Sequence, residues 1–367
     1  MSSTGGWPER VRGEPAANGR VVSVVDGGLG ARRRPTAMAD VARLAGVSHM
    51  TVSRVLNDHP NVRPETRQRV LDAIRQLDFR PNSAARTLAT RRSNTLGVLA
   101  VDTTLFGPAS MVYGFEQAAR EAGYFVAMTS VRSPTPASVV HALNRLRDQG
   151  VEGVVAIMPQ DAWAAALRTV TFDLPVVAIG GGGAGGAAVG VDNVAGAAMA
   201  TEHLLRLGHP TVHHIAGPPT WPEARERMTG WRASLEAAGA PVPEALIGTW
   251  SARSGYELGR RLAKDPSVTA IFCANDHMAL GVLRALTEAH RRVPEEVSVV
   301  GFDDIPEAPF MIPPLTTVRQ DFAALGRKSL HLLRELAAGT GVASSQRLVP
   351  ELKVRRSTAR PSGPRLS

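Results

Sequence analysis

The sequence predicts an all-α helix-turn-helix head joined to an α/β body of two parallel-sheet, Rossmann-like lobes. Three observations predict it. Positive charge is concentrated at the front: Met1 to Arg92 holds 16 arginines against 8 acids, and the remainder is nearly balanced at 26 basic and 25 acidic residues. Inside that basic quarter, two short helical patterns meet at a glycine. Behind it, apolar strand-like runs alternate with helical segments from Thr95 to about Pro350. A chain of 367 residues, 44% of them apolar, is long enough for two or three packed domains. A basic segment on a neutral body suggests a polyanion-binding module carried by a scaffold.

Residues 1–35 are rich in Gly, Pro, Ser and Arg and lack periodicity, so they read as a disordered basic tail. Within it, Arg32, Arg33 and Arg34 suit phosphate contact or a solvated charge run equally. The head follows over 36–80. In "MADVARLAGVS", Met38, Val41, Ala42 and Ala45 share one helical face. Gly46 supplies a sharp turn, and Ser48 caps a second helix through Asn57. Pro64 opens a third helix, "PETRQRVLDAIRQLDF", with Val70, Ile74 and Leu77 inward. In the second helix Val52, Val55 and Leu56 face the core, which leaves His49, Met50, Ser53 and Arg54 outward. The first turn of such a helix reaches base edges in the major groove. Imidazole donates to or accepts from a base, methionine packs on a thymine methyl, and arginine bonds guanine or clamps a phosphate. The competing reading is an ordinary solvent face with one stray methionine. In 81–94, Asn82 caps a short helix of about two turns, marginal unless something packs on it because helix nucleation is costly.

The body spans 95–358, with a tail at 359–367. Its strand-like runs are "TLGVLAV", "FVAMTSV", "GVVAIM", "PVVAIG", "TVHHIAG", "TAIFCAN" and "VSVVGFDD", separated by helical segments such as "DHMALGVLRALTEA". This alternation implies parallel sheets covered by helices on both faces. Ligands in such folds bind beyond the carboxyl ends of the strands, which puts Asn275 and Asp303 at a cleft edge. Cys273 is the only cysteine, so an intrachain disulfide and cysteine-rich zinc sites are excluded. There is no metal-spaced His/Cys cluster and no Gly-x-Ser-x-Gly elbow. No cofactor, metal or catalytic group is therefore expected. His203, His209, His213 and His214 read as structural, with adjacent His213 and His214 on opposite faces of a strand. No apolar run approaches the roughly 20 residues that span a bilayer, and the N-terminus lacks a secretory core, so a cytoplasmic protein without membrane contact is expected.

The stretch "DVARLAGVSHMTVSRVLN", followed by "VRPETRQRVLDAIRQLDFRPNSAARTLATRRSNTLGVL", resembles the DNA-binding head of the lactose/galactose repressor (LacI/GalR) family. The body agrees through "HLLRLGHPTVHHIAGP", "CANDHMALG", "VSVVGFDDIP" and "PPLTTVRQDFAALG". The resemblance implies a homodimeric transcriptional repressor that binds a near-palindromic double-stranded DNA operator. Its bilobed, periplasmic-binding-protein-like body would take a small-molecule effector, a mono- or disaccharide. The implied first lobe covers about 95–191 and 319–343, and the second 192–318 and 344–357.

Carried over by position, the resemblance places the base-reading pair at His49 and Met50, with Arg54 as a further base contact. Thr51, Ser53 and Asn57 match supporting or backbone-touching positions, and the helix-starting Ser48 and Asn82 are expected at the DNA as well. Ala85, Arg86 and Leu88 match the hinge helix, where Leu88 wedges into the minor groove or packs on its partner's copy. Ala37 stands where the family has a capping Thr or Ser, so Thr36 is expected to serve one place earlier. For the effector, Arg227, Trp250, Asp303, Gln320 and Phe322 match the family's pocket, Trp221 in the same loop as Arg227 is expected to line it, and Asn275 is expected there from its strand end. The competing readings are a surface Arg227 paired with Glu223, a turn-capping Asp303 and a core Trp250. After "LPVVAIG" the family often places an acidic ligand contact; here the chain reads Gly180 to Gly183. No leucine heptad follows Pro350, so a dimer rather than a tetramer is expected. The alternative function is a transport-type sugar-binding protein, which shares the bilobed body but needs neither basic head nor hinge.

Overall fold

The computed structural model describes residues 36–56, 59–79, 92–101, 104–131, 135–157, 161–180, 186–342 and 344–361. Two compact units divide the chain near Asn82.

The first unit holds α1 (Met38–Ala45), α2 (His49–Leu56) and α3 (Pro64–Gln76). Gly46 closes α1 at φ +64°, a conformation that spares it the Cβ penalty, and the N–H of Val47 reaches back to Ala42 O at 3.0 Å. Ser48 Oγ accepts from Thr51 N at 3.2 Å and so opens α2 as expected. Thr36 does not cap α1. Its hydroxyl donates to Leu77 O at 3.4 Å, and Asp40 instead accepts from the Ala37 N–H at 2.9 Å. With alanine at the cap, the third helical residue satisfies an otherwise orphaned donor. Val41, Ala45, Val52, Val55, Val70, Ala73 and Phe79 form the buried centre.

The second unit holds two six-stranded sheets. The first is built from β1 (Thr95–Ala100), β2 (Phe125–Ser130), β3 (Val154–Ile157), β4 (Val176–Ile179), β5 (Ala188–Val191) and β11 (Ser345–Leu348), in the order β11-β5-β4-β3-β1-β2, all parallel. Its helices are α4 (Phe106–Glu121), α5 (Pro136–Asp148), α6 (Asp161–Arg168) and α11 (Phe322–Ala337). The second sheet is built from β6 (His213–Ala216), β7 (Leu246–Ile247), β8 (Ala270–Cys273), β9 (Ser298–Asp303), β10 (Thr316–Arg319) and β12 (Glu351–Lys353), ordered β12-β10-β9-β8-β6-β7. Only β12 there is antiparallel, on the edge beside β10. Its helices are α7 (Asn193–Arg206), α8 (Pro222–Ala237), α9 (Ala252–Leu262) and α10 (Asp276–Glu288).

The chain crosses between the sheets after β5, after β10 and after β11. The first two crossings follow Val191 and Arg319. The third differs from the expected lobe bounds: 344–348 is expected in the second lobe, yet Ser345–Leu348 pair with Ala188–Val191 of the first sheet. "SQRL" is a polar edge strand with no apolar alternation to announce it.

Paired helices cover the sheets at glycine contacts. A Cβ on Gly114 would lie 2.2 Å from Phe322 O, and one on Gly281 would lie 2.0 Å from Ala252 O. Backbone rather than a movable side chain fills that space, so the α9–α10 crossing tolerates no added carbon. Gly281→Ala is therefore expected to cost about 1–3 kcal/mol through forced separation of the helices. Urea denaturation checks it, and an unchanged midpoint would contradict the close approach.

Candidate functional site

In the head, the first turn of α2 points its chemistry outward. His49, Met50 and Arg54 are exposed, Met50 by 67%, while Val52 and Val55 on the same helix are buried. Met50 is thus displayed openly between the polar side chains of His49 and Thr51. Thr51 and Ser53 are half-buried flanks, and Ser48 is engaged with Thr51. Asn57, Asn82, Ala85, Arg86 and Leu88 lie outside the described residues.

In the body, the carboxyl ends of the strands of both sheets face a cavity of about 300 Å³, at the lower end of the range of small-molecule sites. Beyond β1 the first lobe contributes Phe106 and Met111 from α4. The second lobe contributes Trp221 and Arg227 around α8, Trp250 before α9, Asn275 after β8, Asp303 at the end of β9 and Gln320 after β10. Six of the seven sequence-derived effector positions thus meet in one cleft. Phe322 does not line it; it sits behind Phe106, ring centroids 5.9 Å apart and edge-on. Its place at the start of α11 turns the ring onto the first lobe's core instead.

Arg227 is the centre of this arrangement. It is 5% exposed, which excludes the surface-residue reading. Its Nε donates to Asn193 Oδ1 at 2.9 Å, Nη1 donates to Ala274 O and lies 3.7 Å from Asp303 Oδ1, and the guanidinium lies over the Phe302 ring at 3.7 Å. Burial lowers its pKa, while Asp303, Glu223, Glu226 and Asp276 raise it again, so the group stays charged. Gln320 Nε2 donates to Asp303 Oδ1 at 2.6 Å. Asn275 caps α10 by accepting from Met278 N at 3.0 Å and donates to Trp250 O at 3.0 Å.

That last bond holds Trp250 at φ +67°, and its ring presses on Gly217, where a Cβ would meet it at 2.2 Å. Asp303 also has a positive φ of +117°. Bulky or charged residues strained in this way concentrate at functional sites. Trp221 meets Trp250 edge-to-face with centroids 5.5 Å apart. Asn193 also donates to Glu226 Oε2 at 3.0 Å, and Arg347 of β11 grips Glu226 at 2.9 and 3.1 Å. Arg227 is in this way tied to two of the inter-lobe crossings.

Sequence reasoning missed Glu223, His277 and Phe106, all of which line the cleft. Glu223 stands one helical turn before Arg227 on α8, and it becomes a cleft residue only where the two lobes meet. The histidines expected to be structural are packed or bonded within lobe 2. His214 is stacked on Phe272, donates to Phe272 O at 2.9 Å and is pushed by burial down to about 4; His209 bonds Thr269 and Ser298; His203 bonds Thr358.

Burial raises Asp303 to about 6, against the downward pull of Arg227, the Gln320 hydrogen bond and His277. Its folded value lies above its unfolded value of about 3.9, so protonation favours the folded chain. That contribution is complete below about pH 4 and is lost as pH rises through about 6. Stability measured from pH 4 to 7 is expected to decline across this window, and Asp303→Asn is expected to remove that part of the decline.

Comparison with known proteins places the chain in a family. The family described as bacterial regulatory proteins, lacI family, matches residues 37–82, and the periplasmic binding protein-like domain matches residues 201–358. The lactose operon repressor of Escherichia coli (strain K12) is 33% identical over 332 residues, covering 90% of this chain and 92% of its own. The chain belongs to the LacI family of bacterial regulatory proteins. The transcriptional regulator CelR of Thermobifida fusca is 37% identical, with 84% of this chain and 93% of its own covered. Among solved structures, a lac repressor dimer bound to operator and the anti-inducer ONPF overlaps with a TM-score of 0.79 at 33% identity, over 89% of this chain and all of that one. A CelR–cellobiose complex gives 0.65 at 33% identity, over 88% and 100%. The DNA-binding head of this LacI-family chain leaves no support for the transport-type alternative. No helix among the described residues is long and apolar enough to cross a membrane.

Proposed function

We propose that this chain is an operator-binding transcriptional repressor, acting as a homodimer, whose grip on DNA is loosened by a mono- or disaccharide. The observation that carries the reading is the cleft: a buried, charged Arg227 beside Asp303, with the Trp221–Trp250 pair along the same wall. A sugar demands that combination. Its hydroxyls need fixed donors and acceptors, and its C–H faces need aromatic surface. Arg227, Asn275, Asp303 and Gln320 take the hydroxyls, and Trp221 and Trp250 take the apolar face. In the head, His49, Met50 and Arg54 read base edges, with arginines around them on phosphates.

Homodimerisation has support in both lobes. Tyr113, Phe125 and Met128 in the first lobe and Phe310 and Ile312 in the second are more than half exposed. Such groups favour cover by a second copy, and a twofold dimer matches a palindromic operator. The relatives whose solved structures hold operator or cellobiose support the same assignment. Binding requires no bond to break in the sugar, so no turnover of aryl glycosides is expected.

A gel shift on palindromic duplexes, with lactose, cellobiose and their component monosaccharides, tests the proposal. One sugar is expected to weaken operator binding by about 5- to 150-fold, the usual range of a coupling of about 1–3 kcal/mol. Linkage makes the effect reciprocal: saturating operator must weaken binding of that sugar by the same factor. A purified protein that binds every duplex alike, with or without sugar, overturns it.

A further inference from the structure

We propose that Glu223 is an effector-binding and specificity-determining carboxylate, supplied by the second lobe beside a first-lobe position that has no side chain. The proposal rests on the cleft being a sugar site. β4 ends at Ile179, and the next residue is Gly180 at φ +76°. A Cβ built on Gly180 would lie 2.9 Å from Glu223 Oε1 and 3.8 Å from Met111. The carboxylate therefore stands in the space that a side chain at residue 180 would need. A side chain at residue 180 would displace the carboxylate from this place.

Glu223 is placed to serve there. It is the second residue of α8, where a negative charge is favoured by the helix N-terminus. It is 7% exposed yet lines the cavity, and Arg227 follows one turn later on the same wall. Arg227 feels its charge directly. The cleft thus has two carboxylates, Glu223 and Asp303, flanking one guanidinium. Two fixed acceptors suit a neutral sugar whose hydroxyls donate to both. The same two charges repel a uronic acid, since like charges in a poorly solvated cleft are costly.

The geometry also ties recognition to lobe closure. Glu223 belongs to the second lobe, and its neighbours Gly180 and Met111 belong to the first. A hydroxyl bound at Glu223 is enclosed on its far side only when the lobes come together. Binding energy gained there favours the closed state, as an effector that shifts the lobe equilibrium must.

The test uses the full-length protein and calorimetric titration with lactose, cellobiose and glucuronic acid, then monodeoxy derivatives of the tightest-binding sugar. Glu223→Gln is expected to weaken the neutral sugar about 10- to 100-fold, as for loss of a charged hydrogen-bond partner, and to narrow the gap to glucuronic acid. In the wild type one deoxy position is expected to lose affinity that Glu223→Ala has already lost, so that the penalty disappears in the variant. A wild type that binds sugar with Glu223→Gln unchanged overturns this assignment alone. A wild type that binds no sugar overturns the cleft reading and this assignment with it. A Glu223→Ala variant that keeps every deoxy penalty overturns direct contact.

Discussion

Arg227→Ala is expected to lose about 3–5 kcal/mol of stability and the sugar response together, while operator binding survives wherever the variant remains folded. The arginine is nearly solvent-free, so its partners are poorly screened. Asp303 lies 3.7 Å away, and Glu223, Glu226 and Asp276 are close enough to feel the guanidinium. Removing it leaves buried acids without their cation, and Asp276, already held well above the ordinary carboxylate range by burial and by Asp303, shows that this region is short of solvation. Asn193 Oδ1 and Ala274 O lose their donor as well. Lysine is no remedy: one ammonium cannot reproduce the separate Nε and Nη1 bonds or lie flat over Phe302. Arg227→Lys is expected to keep more stability than the alanine variant and still bind sugar poorly. Chemical denaturation, sugar titration and gel shift on the same preparation check the three effects. An alanine variant with wild-type stability and induction would contradict the central place given to Arg227.

Much of the fold was legible because its signals are local. Seven strand-like runs are the seven strands β1, β2, β3, β4, β6, β8 and β9, apolar runs of the kind a parallel sheet holds, although β2 at the sheet edge leaves Phe125 and Met128 exposed. Five strands escaped notice: β5 and β10 are four-residue strands inside their sheets, and the other three are short, polar or at edges. β7 has two residues, β11 reads "SQRL", and β12 reads "ELK" with its first residue exposed. Partners far along the chain make these into strands, and no periodicity of their own announces them. The site shows the same division. Arg227, Trp250, Asn275 and Asp303 sit in runs that the sequence marks by strand ends and by resemblance. Glu223 and Phe106 become cleft residues only because two lobes face each other, a relation that no local pattern contains. Thr36 failed as a cap for a comparable reason. Its hydroxyl found Leu77 O, forty-one residues away, and Asp40 took the vacant capping role.

Arg54→Ala is expected to cost about 1–3 kcal/mol of operator affinity, a loss of roughly 10- to 100-fold, with no change in thermal stability. Arg54 is exposed on α2, and the helix keeps its hold on the head through Val52 and Val55, both buried. Sugar affinity of the free protein is expected to stay as it was, because the substitution lies in the other compact unit. The form of the loss separates two roles for the guanidinium. A base-edge contact to guanine makes the loss depend on sequence: operators with guanine at one position suffer, and the others bind nearly as before. A phosphate contact weakens all duplexes alike and lowers the salt slope by about 1. His49 and Met50 precede Arg54 by about one turn on the same exposed surface, so a base-edge role gives the three side chains adjoining base pairs to read. Met50→Ala should then blunt the preference for thymine at its own position while leaving the Arg54 position unchanged. A uniform loss across duplexes in Arg54→Ala would move that residue to the backbone and leave base reading to His49 and Met50 alone.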